Sequence, residues 1–254
     1  CLVAGCQENS CPVCTVGPKE RGDPCTAPYR NPTENLNVLR VHASGHKSTA
    51  FKTLCLCPLV DPFWAKLPHV NIFACFTPDL LHQLHKGVFK DHLVKWCIEA
   101  AARYSSAQEI DKRFKCMPSH PNIRHFRKGI SAIAQWTGKE IKEMERVFAS
   151  LLFGAVPPEV TQVARAIIDF IYYASFPSHS TETIRRLQDA LDTFHEYKKV
   201  FIKMNIQEHF RIPKIHSMEH YAWFIRQKGA LDGYNTELSE RMHILVKDSY
   251  RDSN

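Results

Sequence analysis

The stretch from Arg211 to His243, RIPKIHSMEHYAWFIRQKGALDGYNTELSERMH, constrains this chain most. His216 and His220 stand four positions apart, and residues i and i+4 are neighbours on one helix face. A helix that offers two imidazoles to one ion uses this spacing. A break at Gly229 and Gly233 follows, then a helix start at Asn235-Thr236 carrying Glu237 and Glu240. Two thiols that would complete a tetrahedral set, Cys11 and Cys14, lie at the other end of the chain.

Cys11-Pro-Val-Cys14 sits in an irregular opening punctuated by Pro12, Pro18, Pro24, Pro28 and Pro32 and by Gly5, Gly17 and Gly22. A redox CxxC belongs in a βαβ setting, and none is legible here. Metal binding is the reading we prefer. The source of its ligands stays open, because Cys6, Cys11, Cys14 and Cys25 would make a local four-thiolate centre without any histidine. Of the ten cysteines, Cys1, Cys6, Cys11, Cys14 and Cys25 fall in the first 25 residues. The others are scattered, several in apolar runs, which favours a reduced compartment over a disulfide framework.

The rest of the chain reads as helices. Thr77-Pro78-Asp79 is a helix start, with Leu80, Leu81, Leu84, Val88, Leu93 and Trp96 marking an apolar face to about Tyr104. Asp79 and His82 share the first turn of that helix. Helical pattern resumes over 129–136 and 139–153, then from Glu159 to Ser175 with Val163, Ile167, Phe170 and Ile171 inward. Ile184, Leu187, Leu191, Phe194, Phe201 and Met204 continue the bundle-like stripe. The expected fold class is mainly α with an irregular metal-binding start. Three segments are expected: a Cys-rich, zinc-knuckle-like one over 1–70, a helical domain over 71–210, and the His-pair and final helices over 211–254.

The net charge is +7 over 254 residues, which favours a polyanionic partner, nucleic acid first. A basic run supplies Lys112, Arg113, Arg124, Arg127 and Lys128 as candidate phosphate contacts. Trp136 is a candidate for stacking on an unpaired base. No apolar window reaches membrane-spanning length, so no membrane partner is expected. Because the chain opens at Cys1 rather than Met, a segment of a longer protein is expected.

Taken together, CPVC from Cys11, TPDLLHQLHKGVFKDHLVKW from Thr77, GISAIAQWTGKE from Gly129, DFIYYA from Asp169 and IPKIHSMEHY…YNTELSERMH from Ile212 resemble the fungal Plavaka-type transposases. These are relatives of the Kyakuja–Dileera–Zisupton and CACTA-like DDE transposases. The resemblance implies an RNase H-like catalytic core with an Asp, Asp, Glu triad binding Mg²⁺ or Mn²⁺. It also implies a helical insertion between the second Asp and the Glu, bounded by a CxxC and a His pair that share a structural Zn²⁺. Cys14 and His216 are 202 positions apart, a span that suits such an insertion.

On matching positions the resemblance makes Glu237 the catalytic Glu, on the final helix, with Glu240 its competitor. It makes Cys11, Cys14, His216 and His220 the zinc ligands, and gives Asp79 and His82 a functional pairing. Trp136 resembles a tryptophan that related transposases use near flipped or hairpin DNA. The implied partners are DNA, as transposon ends and target, and further copies of the intact parent; the implied location is the nucleus. Neither catalytic Asp is found, since Asp23 and Asp61 follow the CxxC. The segment alone is therefore expected to be inactive.

Overall fold

The computed structural model describes residues 5–7, 10–121, 123–131, 133 and 136–252. The chain forms two compact units. One comprises Cys1–Thr77 with Phe210–His220, the other Pro78–His209 with Tyr221–Asn254. The described residues are mainly helical, with isolated bridges and no extended strands. None of their helices is long and apolar enough to cross a membrane.

The first unit is mostly turns around two small cores. Helix α1 (Pro32–Ala43) starts at Asn31, whose side chain accepts from the Thr33 and Glu34 amides, with Pro32 in the first helical position. Helix α2 (Thr49–Thr53) and two 3₁₀ turns (Phe63–Lys66 and Ile72–Cys75) follow. Cys6, Trp64, Ile72 and Phe73 make one cluster, and Leu39, Leu54 and Leu56 the other. Buried Arg30 ties the cysteine turn to this core. Its Nε donates to the Cys11 carbonyl and its Nη1 to the Leu54 carbonyl, both at 2.8 Å. A guanidinium taken out of water needs such acceptors.

Gly22 matters for a different reason. A Cβ there would sit 2.9 Å from the Phe210 carbonyl carbon, so only glycine allows these two backbone segments to approach. Phe210 leads into α9 (Pro213–Ser217), which gives way to a 3₁₀ turn at Met218–His220. The single helix expected across the His pair is thus interrupted.

The second unit is a helical array. Residues Leu80–Leu93 wind as a π-helix that runs into α3 (Val94–Tyr104), within the span expected for one helix. Its buried residues Leu80, Leu84, Val88 or Phe89, and Leu93 step by four and five, as wide i→i+5 winding requires. Then come α4 (Glu109–Cys116), α5 (Gly138–Leu152), α6 (Pro158–Ala174), α7 (Thr181–Tyr197), α8 (Val200–Lys203), α10 (Tyr221–Lys228) and α11 (Glu237–Asp252). Thr137 with Glu140 forms a reciprocal cap on α5, and Ser180 with Thr183 does so on α7. Helices α6 and α7 pack along their predicted stripes, Val163, Ile167, Phe170 and Ile171 against Ile184, Leu187, Leu191 and Phe194.

The helical pattern expected over 129–136 is not realised among its described residues, and Ala132, Ala134 and Gln135 lie outside them. Gly129 takes φ +80°. The Ile130 and Ser131 amides donate to the Asp111 carboxylate at 2.8 and 3.1 Å, instead of entering a helix ladder. A side-chain acceptor here outcompetes the local propensity.

Candidate metal centre and candidate catalytic carboxylate

In the first unit, Cys11, Cys14, His216 and His220 bring one donor atom each into a single buried cluster. Cys11 Sγ lies 3.3 Å from His220 Nε2, and Cys14 Sγ 3.3 Å from His216 Nε2. The two Nε2 atoms are 3.2 Å apart. Around a tetrahedral zinc the bond lengths give about 3.5 Å between N and S and about 3.3 Å between the two N. The donor set is therefore spaced for one such ion. Pro12 closes the CxxC turn, and the Val13 and Cys14 amides point at Cys11 Sγ at 3.3 and 3.4 Å. Amide donors of this kind stabilise thiolate charge.

The Cys11 thiol is held far below its ordinary value by hydrogen bonding with Cys14, against burial, and then by His216 and His220. Cys14 is correspondingly raised, since two adjacent sulfurs share one proton. Two thiolates and two neutral imidazoles would neutralise a dication with four protein ligands. Such a closed set fits a metal such as zinc in a structural role. Cys25 is 3.8 Å from Cys14, and its thiol is lowered to about 6, mainly by the hydrogen bond with Cys14. Cys6 packs against Trp64 instead, and burial pushes its thiol up.

In the second unit, Asp79 and His82 join the start of α11. One Asp79 oxygen caps the π-helix, accepting from the His82 amide at 2.8 Å and lying 2.6 Å from His82 Nδ1. Its other oxygen accepts from the Thr236 hydroxyl at 2.8 Å and the Thr236 amide at 3.3 Å. His82 Nε2 lies 2.8 Å from Glu240. Asp79 is thus more than a cap: it fastens two helix starts at once. Burial opposes its ionisation, but hydrogen bonds from the His82 amide and from Thr236 outweigh it, and the carboxyl sits below its usual value.

A carboxyl depressed in the fold contributes stability that is present above the unfolded value, about 3.9, and is lost as pH falls through the lower folded one. Asp79→Asn should therefore flatten this acid limb in thermal melts taken between about pH 5 and 2. Asp79→Ala should cost about 1–2 kcal/mol at neutral pH. An acid limb unchanged in Asp79→Asn would remove Asp79 from this role.

Glu237 opens α11 with its amide donating to Asn235 Oδ1 at 3.2 Å. Its carboxylate pairs with Lys142 at 2.5 Å and is held below its usual value chiefly by that hydrogen bond. Glu240 is committed to His82. Near Lys142, a cleft of about 580 Å³ is lined by His85, Lys142, Glu145, Asp169, Tyr172 and Asp232, among others.

His85 and Glu145 had no sequence signal as a pair. His85 Nδ1 reaches both Glu145 oxygens, at 2.8 and 2.9 Å, with side chains only 5% and 9% exposed. The available hint was a glutamate in the buried stripe of α5 with Ile141, Met144, Phe148 and Leu152. Glu145→Ala strands a buried imidazole and should cost about 3 kcal/mol in denaturant unfolding, whereas His85→Leu with Glu145→Leu should cost much less. A small loss in the single variant would show the pair to be dispensable.

The basic run divides. Arg113 pairs with Glu109 and bonds the Leu151 carbonyl, and Arg124 pairs with Glu140. Lys112, Arg127 and Lys128 are exposed. Trp136 is half-buried, its ring 6.1 Å from Phe126.

Comparison with known proteins gives one family match. The Plavaka transposase family model matches residues 1–97. No curated protein and no solved structure matches the chain. The matched span includes the cysteine turn and the Asp79–His82 pair, and it supports a transposase-derived chain.

Proposed function

We propose that this chain is the zinc-stapled helical part of a DDE-type DNA transposase. The carrying observation is the meeting of Cys11 and Cys14 with His216 and His220, across 202 positions from Cys14 to His216, in a chain whose first 97 residues match the Plavaka transposase model. On this reading, 1–70 is the knuckle segment, 71–210 the helical insertion, and 211–254 the return to an RNase H-like core. Zinc held by the four ligands is structural and leaves no open position for substrate.

Glu237 is the one carboxylate of the metal triad that this chain supplies, and it is better placed than Glu240. Its partner Lys142 is a cation that a metal ion can replace, whereas Glu240 is tied to His82. Among the described residues no other group of three acidic, histidine or cysteine ligands converges beside the zinc set. On this reading the two catalytic Asp come from elsewhere in the parent, and the isolated chain is expected to cleave no DNA. When bound in the complete parent, such ions activate the attacking oxygen and stabilise the leaving one. Lys112, Arg127 and Lys128 are the residues we assign to DNA phosphates. Homo-oligomeric assembly and a nuclear location go with the same reading.

Strand transfer by the intact parent, with labelled transposon ends and Mg²⁺ or Mn²⁺, tests the proposal. Joined products should form, and DNA affinity should fall steeply with salt. A parent that binds DNA but joins no strands would favour the second reading, a non-enzymatic DNA-binding module. The neutralisation of Glu237 by Lys142 is the observation that favours that alternative.

A further inference from the structure

We propose that Cys25 is a substituting ligand of the metal centre, outside the coordination sphere at rest and entering it when an imidazole leaves. This rests on the reading of the Cys/His cluster as a metal site. Cys14 and Cys25 sulfurs are 3.8 Å apart, within hydrogen-bond reach and without a disulfide between them. Two thiolates on one tetrahedral zinc, with bonds near 2.3 Å, stand about 3.8 Å apart. Cys25 therefore already holds the spacing of a neighbouring ligand with respect to Cys14, although it is not among the four donors that converge.

The loop that carries Cys25 is fixed over the centre. Thr15 N donates to the Pro28 carbonyl at 3.0 Å and Arg30 N to the Val13 carbonyl at 2.9 Å, closing the loop at its base. Cys14 and Tyr29 form an antiparallel bridge there, and the Tyr29 ring lies 5.9 Å from that of His220. On the far side, Gly22 abuts the Phe210 backbone. Cys25 lies between these anchors, half-buried. Four donors thus converge on one place, and the Cys25 sulfur stands beside one of them, Cys14.

In the exchange, one metal–nitrogen bond breaks and one metal–sulfur bond forms. The Cys25 thiol proton passes to the freed imidazole or to water. The set changes from two sulfurs and two nitrogens to three sulfurs and one nitrogen, and the centre gains one negative charge.

The test uses zinc affinity and the absorption of the cobalt-substituted chain, for wild type, Cys25→Ser, His220→Ala and the double variant. Wild type and Cys25→Ser should share a two-sulfur, two-nitrogen spectrum and differ by less than about threefold in affinity. His220→Ala should keep one metal with a stronger sulfur charge-transfer band. Adding Cys25→Ser to it should weaken binding by a further ~100-fold.

Loss of metal in His220→Ala, or a double variant no weaker than His220→Ala, would overturn the proposal. So would a Cys25→Ser change that alters the resting spectrum, because Cys25 would then be a resident ligand. A wild type that binds no metal would remove the metal reading itself and this inference with it. Should His220→Ala misfold, chelator-driven zinc release compares wild type with Cys25→Ser. Release should be about tenfold faster without Cys25, and equal rates would overturn the assignment.

Discussion

Stripping zinc from the chain with a chelator at neutral pH should unfold the unit made of residues 5–77 and 210–220 while leaving the helical unit folded. The first unit has two small apolar clusters and long irregular connections. A folded domain holds only about 5–15 kcal/mol of net stability. A structural zinc near neutral pH contributes on the order of 10 kcal/mol. The ion is thus expected to supply most of what keeps this unit folded. The second unit draws on the α6–α7 packing and on Phe89, Phe114, Phe148 and Phe194, all fully buried. Limited proteolysis of the stripped chain should cut within the first unit and spare α5 to α7. Cys11→Ser with Cys14→Ser should reproduce the pattern without chelator. An unchanged melt and digestion pattern after verified metal removal would defeat the structural role.

Glu237→Ala in the intact parent should lower strand transfer by at least ~10³-fold, the scale seen when a member of a catalytic constellation is removed. Zinc content should not change. Stability should fall by less than about 1 kcal/mol, because the Lys142 pair it breaks is partly exposed. Glu240→Ala provides the contrast. It breaks the contact with His82 and should loosen the Asp79–Thr236 clasp, yet leave most of the strand transfer. The reverse outcome, an active Glu237→Ala and a dead Glu240→Ala, would move the catalytic role to Glu240. Lys142→Met separates the two readings of the pair. If Lys142 only holds Glu237 until a metal ion takes its place, the variant should retain strand transfer.

The four residues of the buried Cys/His cluster were legible because spacing carries them. Two cysteines three apart and two histidines four apart constrain geometry before any fold is known. Their union was not legible by spacing, since 202 positions separate Cys14 from His216, and the four-cysteine alternative used the same letters. Helix boundaries such as Asp79 were readable as local capping chemistry. What tertiary contacts decide was hidden. Asp79 reaches Thr236 across 157 positions, and His85 reaches Glu145 across 60. Arg113 and Arg124 were candidate phosphate contacts in the sequence but pair with Glu109 and Glu140 in the fold. The stretch from Gly129 lost its expected helix to one distant carboxylate, Asp111.

The first unit is completed only by Phe210–His220, so synthesis imposes a waiting time on it. A ribosome adding about 5–20 residues per second needs roughly 10–40 s to pass from the cysteine turn to the His pair. For a period of that length Cys11, Cys14 and Cys25 stand outside the exit tunnel before His216 and His220 emerge. A nascent chain in this state is three thiols near one another, open to oxidation and to ions softer than zinc. How quickly the last helices emerge therefore bears on which metal, if any, the finished protein carries.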